Sequence, residues 1–258
     1  MIKWTKKNCF TVDGVEFKAI PLGLGNQQST PERFIFQKSL WVVERYEKLI
    51  SQLKPKAIFE LGIWCGGSAV FFQRLAQAKK LVTLDITEQR VEALDQYIEA
   101  NQLHNTLKPF YGVDQGDVAR LRQIVRDEFD DGMLDLVIDD ASHFVDQTRN
   151  SFNALFPLVK PGGVFVIEDW SWAHGKHDGP EDFAAFYPNH APLTTLIFEI
   201  ILACPSTGDY IEKIEIDKNS ATIWRGTAPI KADDFDIAQC CLSRGRALLA
   251  QQEDDVCV

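Results

Sequence analysis

The sequence predicts an α/β fold whose doubly wound, mostly parallel sheet ends in an antiparallel hairpin. Three features predict this fold: apolar strand-like segments alternate with amphipathic segments, acids follow five of these strands, and two closely spaced strands occur near the C-terminus. Strands that alternate with helices form parallel sheets that helices cover on both faces. Right-handed crossovers then place ligands outside the carboxyl ends of the strands.

Each element follows from a local pattern. Asp-Gly suits a tight turn, which predicts a small hairpin at 11–17, and Thr30 with Pro31 predicts a helix that runs to about residue 53. Apolar runs predict strands at 57–61, 81–85, 107–113, 134–139 and 164–168. Helical spacing of apolar residues predicts helices at 67–79, 87–101, 116–128 and 145–158. The last predicted elements are a helix at 190–203, a hairpin of 210–216 and 221–225, and a helix at 233–250.

Composition narrows the class of protein. The 258 residues can form one large α/β domain with a full core. The net charge of −10 argues against nucleic acid or an anionic membrane as the main partner. No apolar run approaches the roughly 20 residues of a membrane helix, and the basic start lacks the apolar segment of a secretory signal. Six cysteines without a C-x-x-C pair indicate reduced thiols in the cytoplasm, rather than disulfides or a zinc site.

The loop after the first strand of the main sheet reads Glu-Leu-Gly-Ile-Trp-Cys-Gly-Gly-Ser at 60–68. A dinucleotide fingerprint needs a glycine where Trp64 stands, because a glycine lets the backbone approach the pyrophosphate. Glu60 would also repel a pyrophosphate. S-adenosylmethionine suits the loop better, since it has no phosphate and its ammonium group can bind a carboxylate. Its own carboxylate can use backbone amides at the start of the next helix, near Ser68.

Two further strand ends extend this cofactor hypothesis. Asp85 ends the second strand, 25 residues after Glu60, where it can accept hydrogen bonds from ribose hydroxyls. Asp114 and Gln115 follow the third strand, where the adenine amino group would lie. Alone, the glycine-rich loop could be a plain tight turn, so the cofactor hypothesis depends on these acids.

Acids cluster where the fourth and fifth strands end. Asp139-Asp140-Ala141-Ser142-His143 follows the fourth strand, and Glu168-Asp169 follows the fifth. The two strands should be neighbours, so we expect Asp140, Glu168 and Asp169 to hold one hard cation, for which oxygen ligands favour Mg²⁺. A neutral His143 can then accept a proton near pH 7. Alternatively, the aspartates could cap the next helix, the second pair of acids could be a polar strand exit, and His143 could be an ordinary helix-start residue.

These motifs resemble a known family. The stretch 60–70 resembles the cofactor loop of class I S-adenosylmethionine-dependent methyltransferases, especially the metal-dependent catechol O-methyltransferase type. The acid clusters, with Pro-Gly-Gly at 161–163, resemble those of macrocin and mycinamicin sugar O-methyltransferases and the related cephalosporin-hydroxylase-like family. Ala141 stands where those proteins usually have glycine. The resemblance covers about 55–225 and implies a Rossmann-like sheet.

The resemblance also implies roles for single residues. It implies that Asp140, Glu168 and Asp169 bind magnesium and that His143 is the general base. Asp139 is assigned to the cofactor or to residues that support the metal ligands. The implied cofactor contacts are Glu60, Gly62, Trp64, Ser68, Asp85, Asp114 and Gln115.

We therefore expect a magnesium-dependent O-methyltransferase that moves a methyl group from S-adenosylmethionine to a hydroxyl of a small molecule, such as a sugar or diol of a natural product. The alternatives are an NAD(P)-dependent oxidoreductase and a non-catalytic, cofactor-binding partner of a biosynthetic enzyme. We divide the chain into an extension and helix at 1–54, for substrate or oligomer contacts, and a methyltransferase domain at 55–258. The enzyme could form a homo-oligomer. Substrate selection should lie in residues 1–30 and in the 170–190 loop, whose aromatic residues could wall a sugar or pack internally.

Overall fold

The structure is a computed structural model that describes residues 2–20, 27–174, 191–243 and 246–247. The chain divides into two compact units, each described by itself. Unit 1 consists of Met1–Asp114 and Glu128–Asp130, and unit 2 consists of Gln115–Asp127 and Asp131–Val258. The sequence-based division at residues 54 and 55 stays a prediction. Within the described residues, no helix is both long and apolar enough to cross a membrane.

A small sheet opens unit 1. Its strands lie in the order β1 (Ile2–Lys6), β2 (Cys9–Val12), β3 (Val15–Ala19) and β4 (Arg33–Phe36). The predicted hairpin at 11–17 is confirmed, because β2 and β3 pair antiparallel around Asp13 and Gly14, which both have positive φ.

The predicted start of the first helix is wrong. The Thr30 hydroxyl accepts a hydrogen bond from the Arg33 amide and closes a turn, and the next residues enter β4. The apolar side chains of β4 are buried as it pairs parallel with β3. Burial in a sheet therefore overrides the helix signal, and α1 (Leu40–Leu53) begins after Ser39.

The rest of unit 1 follows the predicted strand–helix alternation. It contains β5 (Ala57–Leu61), α2 (Gly67–Ala76), β6 (Lys80–Asp85), α3 (Glu92–Ala100) and β7 (Leu107–Tyr111). The three strands are parallel, in the order β5-β6-β7. A Cβ at Gly67 would lie 1.8 Å from the Ile35 backbone oxygen, so only a glycine lets α2 begin this close to β4.

Unit 2 carries the remaining large elements. They are α4 (Val118–Glu128, whose last residue belongs to unit 1), β8 (Leu134–Asp139), α5 (Val145–Leu155), β9 (Val159–Glu168), α6 (Thr194–Ser206), β10 (Ile211–Ile216) and β11 (Ser220–Arg225). Strands β8 and β9 are parallel, β11 is antiparallel to β9, and β10 is antiparallel to β11. The strands of unit 2 lie in the order β10-β11-β9-β8. The predicted mostly parallel sheet with a terminal antiparallel hairpin is therefore confirmed.

The predicted helix at 233–250 is wrong for the residues that the structure describes there. Short 3-10 turns occupy Ala232–Asp234 and Ile237–Cys240, and β12 (Leu242–Ser243) pairs with β13 (Arg246–Ala247). The buried side chains of this stretch are Phe235, Ile237 and Cys241, whose spacing is not that of one helix face. Residues 244, 245 and 248–258 lie outside the described residues.

Candidate cofactor and metal sites

The loop after β5 has an uncommon backbone conformation. Gly62, Trp64 and Gly66 have φ of 102°, 43° and 75°. Glycine tolerates these values, whereas a bulky side chain at positive φ is an outlier that needs support from its surroundings. The Trp64 side chain is 44% exposed, so burial of its ring does not explain the conformation.

Asp85 supplies the support for this loop. One carboxylate oxygen, Oδ2, accepts hydrogen bonds from the amides of Ile63 at 3.0 Å and Trp64 at 3.2 Å. The other, Oδ1, accepts one from the amide of Thr87 at 3.0 Å. Asp85 thus holds the loops after β5 and β6 together, in addition to its predicted cofactor role.

The other predicted cofactor residues of unit 1 differ in exposure. Glu60 is 1% exposed within β5, and Ser68 is half-buried as the second residue of α2. Asp114 is exposed. It lies three residues beyond the end of β7, since this strand ends at Tyr111 and not at the predicted residue 113.

Ile86 is an apolar residue next to the predicted cofactor residue Asp85. Its side chain is 71% exposed directly after Asp85. The sequence signal for it is an apolar residue directly after the acid that ends a strand. An exposed apolar side chain at this position offers a surface for a flat aromatic ring.

In unit 2, Gln115 and Asp139 form a buried network. They are 4% and 2% exposed, and Gln115 Nε2 lies 3.1 Å from each oxygen of the Asp139 carboxylate. The Ser151 hydroxyl on α5 also donates to Asp139. Gln115 Oε1 accepts a hydrogen bond from the Ser142 amide at 2.8 Å. Both oxygens of Asp139 therefore face protein donors, and the network holds the loop that carries Ser142.

Burial also changes the acidity of this network. It raises the pKa of the Asp139 carboxyl from 3.8 to about 6, although the hydrogen bond from Ser151 and the nearby His143 favour the charged form. Desolvation exceeds these favourable interactions because the carboxyl has almost no contact with solvent.

Three of the predicted residues after β8 and β9 lie close together. Asp140, His143 and Asp169 each offer one ligand atom, and these atoms lie within 4.8 Å of one another in half-buried positions. We call these three residues the acid–histidine cluster. The parallel register pairs Asp139 with Ile167, which brings the two strand ends side by side. Glu168, the third predicted metal ligand, is 5% exposed, pairs with Ser220 of β11, and is not a member of the cluster.

Two residues of the cluster have a left-handed backbone conformation. His143 and Asp169 have φ of 57° and 51°, which non-glycine residues seldom adopt. Such conformations concentrate at functional sites, where the surrounding structure holds them. Two carboxylates from different strands suit a hard divalent cation, and the imidazole can act as a further ligand or as a base.

The loop after β9 is described only in part. Trp170 Nε1 donates a hydrogen bond to the backbone oxygen of Asp217 at 2.8 Å. His174 is exposed and hydrogen-bonded to the Thr194 hydroxyl. Residues 175–190, which include most of the predicted substrate loop, lie outside the described residues.

Comparison with known proteins gives a family match. Residues 59–170 match the family model that is described as a methyltransferase domain. These residues span β5 to β9 and contain all the predicted site residues.

Two curated relatives match part of the chain. Demethylmacrocin O-methyltransferase of Streptomyces fradiae is 38% identical over 166 residues, which are 60% of this chain and 37% of that protein. The 8-demethyl-8-alpha-L-rhamnosyl tetracenomycin-C 2'-O-methyltransferase of Streptomyces olivaceus is 35% identical over 88 residues, which are 26% of this chain and 23% of that protein. The chain therefore spans less than half the length of both relatives.

A solved structure shares the fold. It is the MycE methyltransferase of the mycinamycin biosynthetic pathway, in complex with Mg, SAH and mycinamycin VI. The superposition has a TM-score of 0.55 at 24% identity and covers 77% of this chain and 52% of that chain.

Proposed function

We propose that the chain is a magnesium-dependent O-methyltransferase, a proposal that the match of residues 59–170 to a methyltransferase-domain model supports. The donor is S-adenosylmethionine, and the acceptor is a hydroxyl of a small molecule, such as a sugar of a natural product. The observation that carries the proposal is the acid–histidine cluster, because metal-assisted deprotonation of an alcohol needs these groups together.

The chemistry of methyl transfer to an alcohol explains why a cation and a base are needed. Methyl transfer is an in-line displacement at a sulfonium carbon, and an alcohol attacks poorly until its proton leaves. When bound, a divalent cation lowers the pKa of a coordinated hydroxyl and can orient two adjacent oxygens. Asp140 and Asp169 would hold the cation, and Glu168 stays a predicted third ligand. His143 would accept the proton of the acceptor hydroxyl and keep it until release to solvent.

The donor would use the predicted residues of unit 1. Glu60 can pair with the ammonium group of S-adenosylmethionine, and Gly62 and Ser68 lie in the loop and helix start that can receive its carboxylate. Asp85 can accept from ribose hydroxyls with the lone pairs that its backbone partners leave. We add Ile86, whose exposed side chain fits the purine ring.

Asp114, Gln115 and Asp139 stay proposed contacts to the purine end. For Asp139 and Gln115, a role in supporting the Ser142 loop fits their burial better than direct contact.

The named relatives support a sugar acceptor. One is named for a rhamnosyl compound, and the solved neighbour is described with Mg, SAH and mycinamycin VI. For this chain, the acceptor remains part of the proposal.

Release of S-adenosylhomocysteine from S-adenosylmethionine tests the proposal. The purified protein is assayed with a panel of sugars and diols, in Mg²⁺ or after EDTA treatment, and as the Asp140→Ala variant. We expect activity that EDTA removes, that Mg²⁺ restores, and that Asp140→Ala lacks. Full activity in EDTA and in the variant would exclude the metal role. Tight NADH binding without S-adenosylmethionine binding would instead favour an oxidoreductase.

A further inference from the structure

The loop that carries Asp169 is hydrogen-bonded to the turn of the terminal hairpin formed by β10 and β11. We define the 217–220 turn as the connection between β10 and β11 together with Ser220, the first residue of β11. The Asp169 amide donates to the Asn219 oxygen at 2.5 Å, and Trp170 Nε1 donates to the Asp217 oxygen at 2.8 Å. The Ser171 hydroxyl donates to the Lys218 oxygen. Three successive residues of the loop thus bond to three successive carbonyls of the turn.

The Asp217 side chain closes this turn. Its Oδ1 accepts hydrogen bonds from the amides of Asn219 at 2.8 Å and Ser220 at 2.9 Å, and its Oδ2 accepts one from the Ser220 hydroxyl at 3.1 Å. The Asp217 amide also donates to the Ser220 oxygen at 2.9 Å. An aspartate that bonds the amides two and three residues ahead fixes a turn, and its charge strengthens each bond. The carbonyls of the turn are therefore held in one orientation.

That orientation matters because of the conformation of Asp169. Its φ of 51° lies in the left-handed region, and the hydrogen bond from its amide to the turn holds the backbone there. The strand pairing between β9 and β11 ends at Glu168 and Ser220, so the bond from the Asp169 amide to Asn219 is the next link beyond the sheet.

We propose that Asp217 is a positioning residue, which sets the Asp169 carboxylate for metal binding through the 217–220 turn. The proposal rests on the proposed function, because it assumes that Asp169 is a metal ligand. In this proposal Asp217 would act through the turn and not as a ligand. Residues behind the direct ligands typically change metal affinity by about 10- to 100-fold when they are replaced.

The chain provides a matched control. Asp209 lies at the opposite end of the same hairpin, where its Oδ2 accepts hydrogen bonds from the Thr227 amide and hydroxyl. It is thus another aspartate that accepts backbone and hydroxyl hydrogen bonds at this hairpin, without a bond to the Asp169 loop among the described contacts. Asp217→Asn keeps an oxygen that can accept the two amide bonds but removes the charge.

Direct binding of Mn²⁺, measured by calorimetry and electron paramagnetic resonance without acceptor, tests the proposal. The dissociation constant of S-adenosylhomocysteine is measured in parallel. We expect Asp217→Ala to weaken Mn²⁺ binding by about 10- to 100-fold with unchanged S-adenosylhomocysteine binding. Asp217→Asn should restore most of the Mn²⁺ affinity, and Asp209→Ala should match the wild type.

The possible outcomes separate this inference from the proposed function. If the wild type binds no Mn²⁺, the proposed function fails. If the wild type binds Mn²⁺ and Asp217→Ala binds it equally well, the positioning role is wrong. Should Asp217→Ala not fold, Trp170→Phe and Ser171→Ala each remove one bond to the turn. Wild-type Mn²⁺ affinity in both of these variants would equally overturn the inference.

Discussion

Asp85 in unit 1 and Asp140 in unit 2 both follow parallel strands, yet the structure uses them differently. The Asp85 carboxylate accepts three backbone amides and holds two loops, whereas Asp140 lies with His143 and Asp169 in the acid–histidine cluster. Asp139, the neighbour of Asp140, is buried against Gln115 and Ser151. An acid at a strand end is therefore one sequence signal with three outcomes, and the nearby donors decide among them.

The largest expected effect comes from the cluster. His143→Ala should reduce kcat by about 10²- to 10⁴-fold, because that is the usual contribution of a general base. Binding of S-adenosylmethionine should not change. The matched control is His104→Ala, since His104 is an exposed histidine that pairs with Glu99 on the surface of unit 1. Unchanged turnover in His143→Ala would show that His143 is not the general base, whereas S-adenosylmethionine binding without any wild-type turnover would favour a non-catalytic, cofactor-binding protein.

The next largest effect concerns Asp139 and the pH dependence of the free energy of unfolding. The folded-state pKa of Asp139 is raised from 3.8 to about 6, so the folded protein favours the protonated form. Its contribution to stability is full below pH 3.8 and is lost as the pH rises through 6, at a cost of about 3 kcal/mol.

Asp139→Asn should remove this pH dependence, whatever its own stability. Urea unfolding of wild type and variant from pH 4 to 7, without divalent cations, measures the difference. Parallel pH profiles for the two proteins would show that the carboxyl is not perturbed.

The smallest effect is expected at Asp85. Asp85→Ala should lower the free energy of unfolding by about 1–3 kcal/mol, because three amides lose a charged acceptor. It should also weaken S-adenosylhomocysteine binding, since the Trp64 loop loses its support, and leave Mn²⁺ binding intact. The double variant with Trp64→Gly should recover part of the stability, because glycine adopts positive φ readily. No recovery would mean that Asp85 does not stabilise this backbone conformation.

The sequence predicts the neighbouring ends of β8 and β9 well, because alternation fixes the parallel order and the acids stand at the strand ends. It predicts β4 poorly, since Arg33–Phe36 is a strand only through its pairing with β3. Two sets of hydrogen bonds are also not predicted: those that Asp85 accepts from backbone amides, and the one between the Asp169 amide and the 217–220 turn. Both depend on contacts between residues far apart in the chain, for which local propensity carries no signal.

The most direct test of the account is Mn²⁺ binding to the wild type, Asp140→Ala, Asp169→Ala and Asp139→Asn, measured by calorimetry with S-adenosylhomocysteine present. We expect saturable binding by the wild type and by Asp139→Asn, and a loss of binding in the other two variants. Binding that survives in both Asp140→Ala and Asp169→Ala would contradict the claim that these two acids hold the cation.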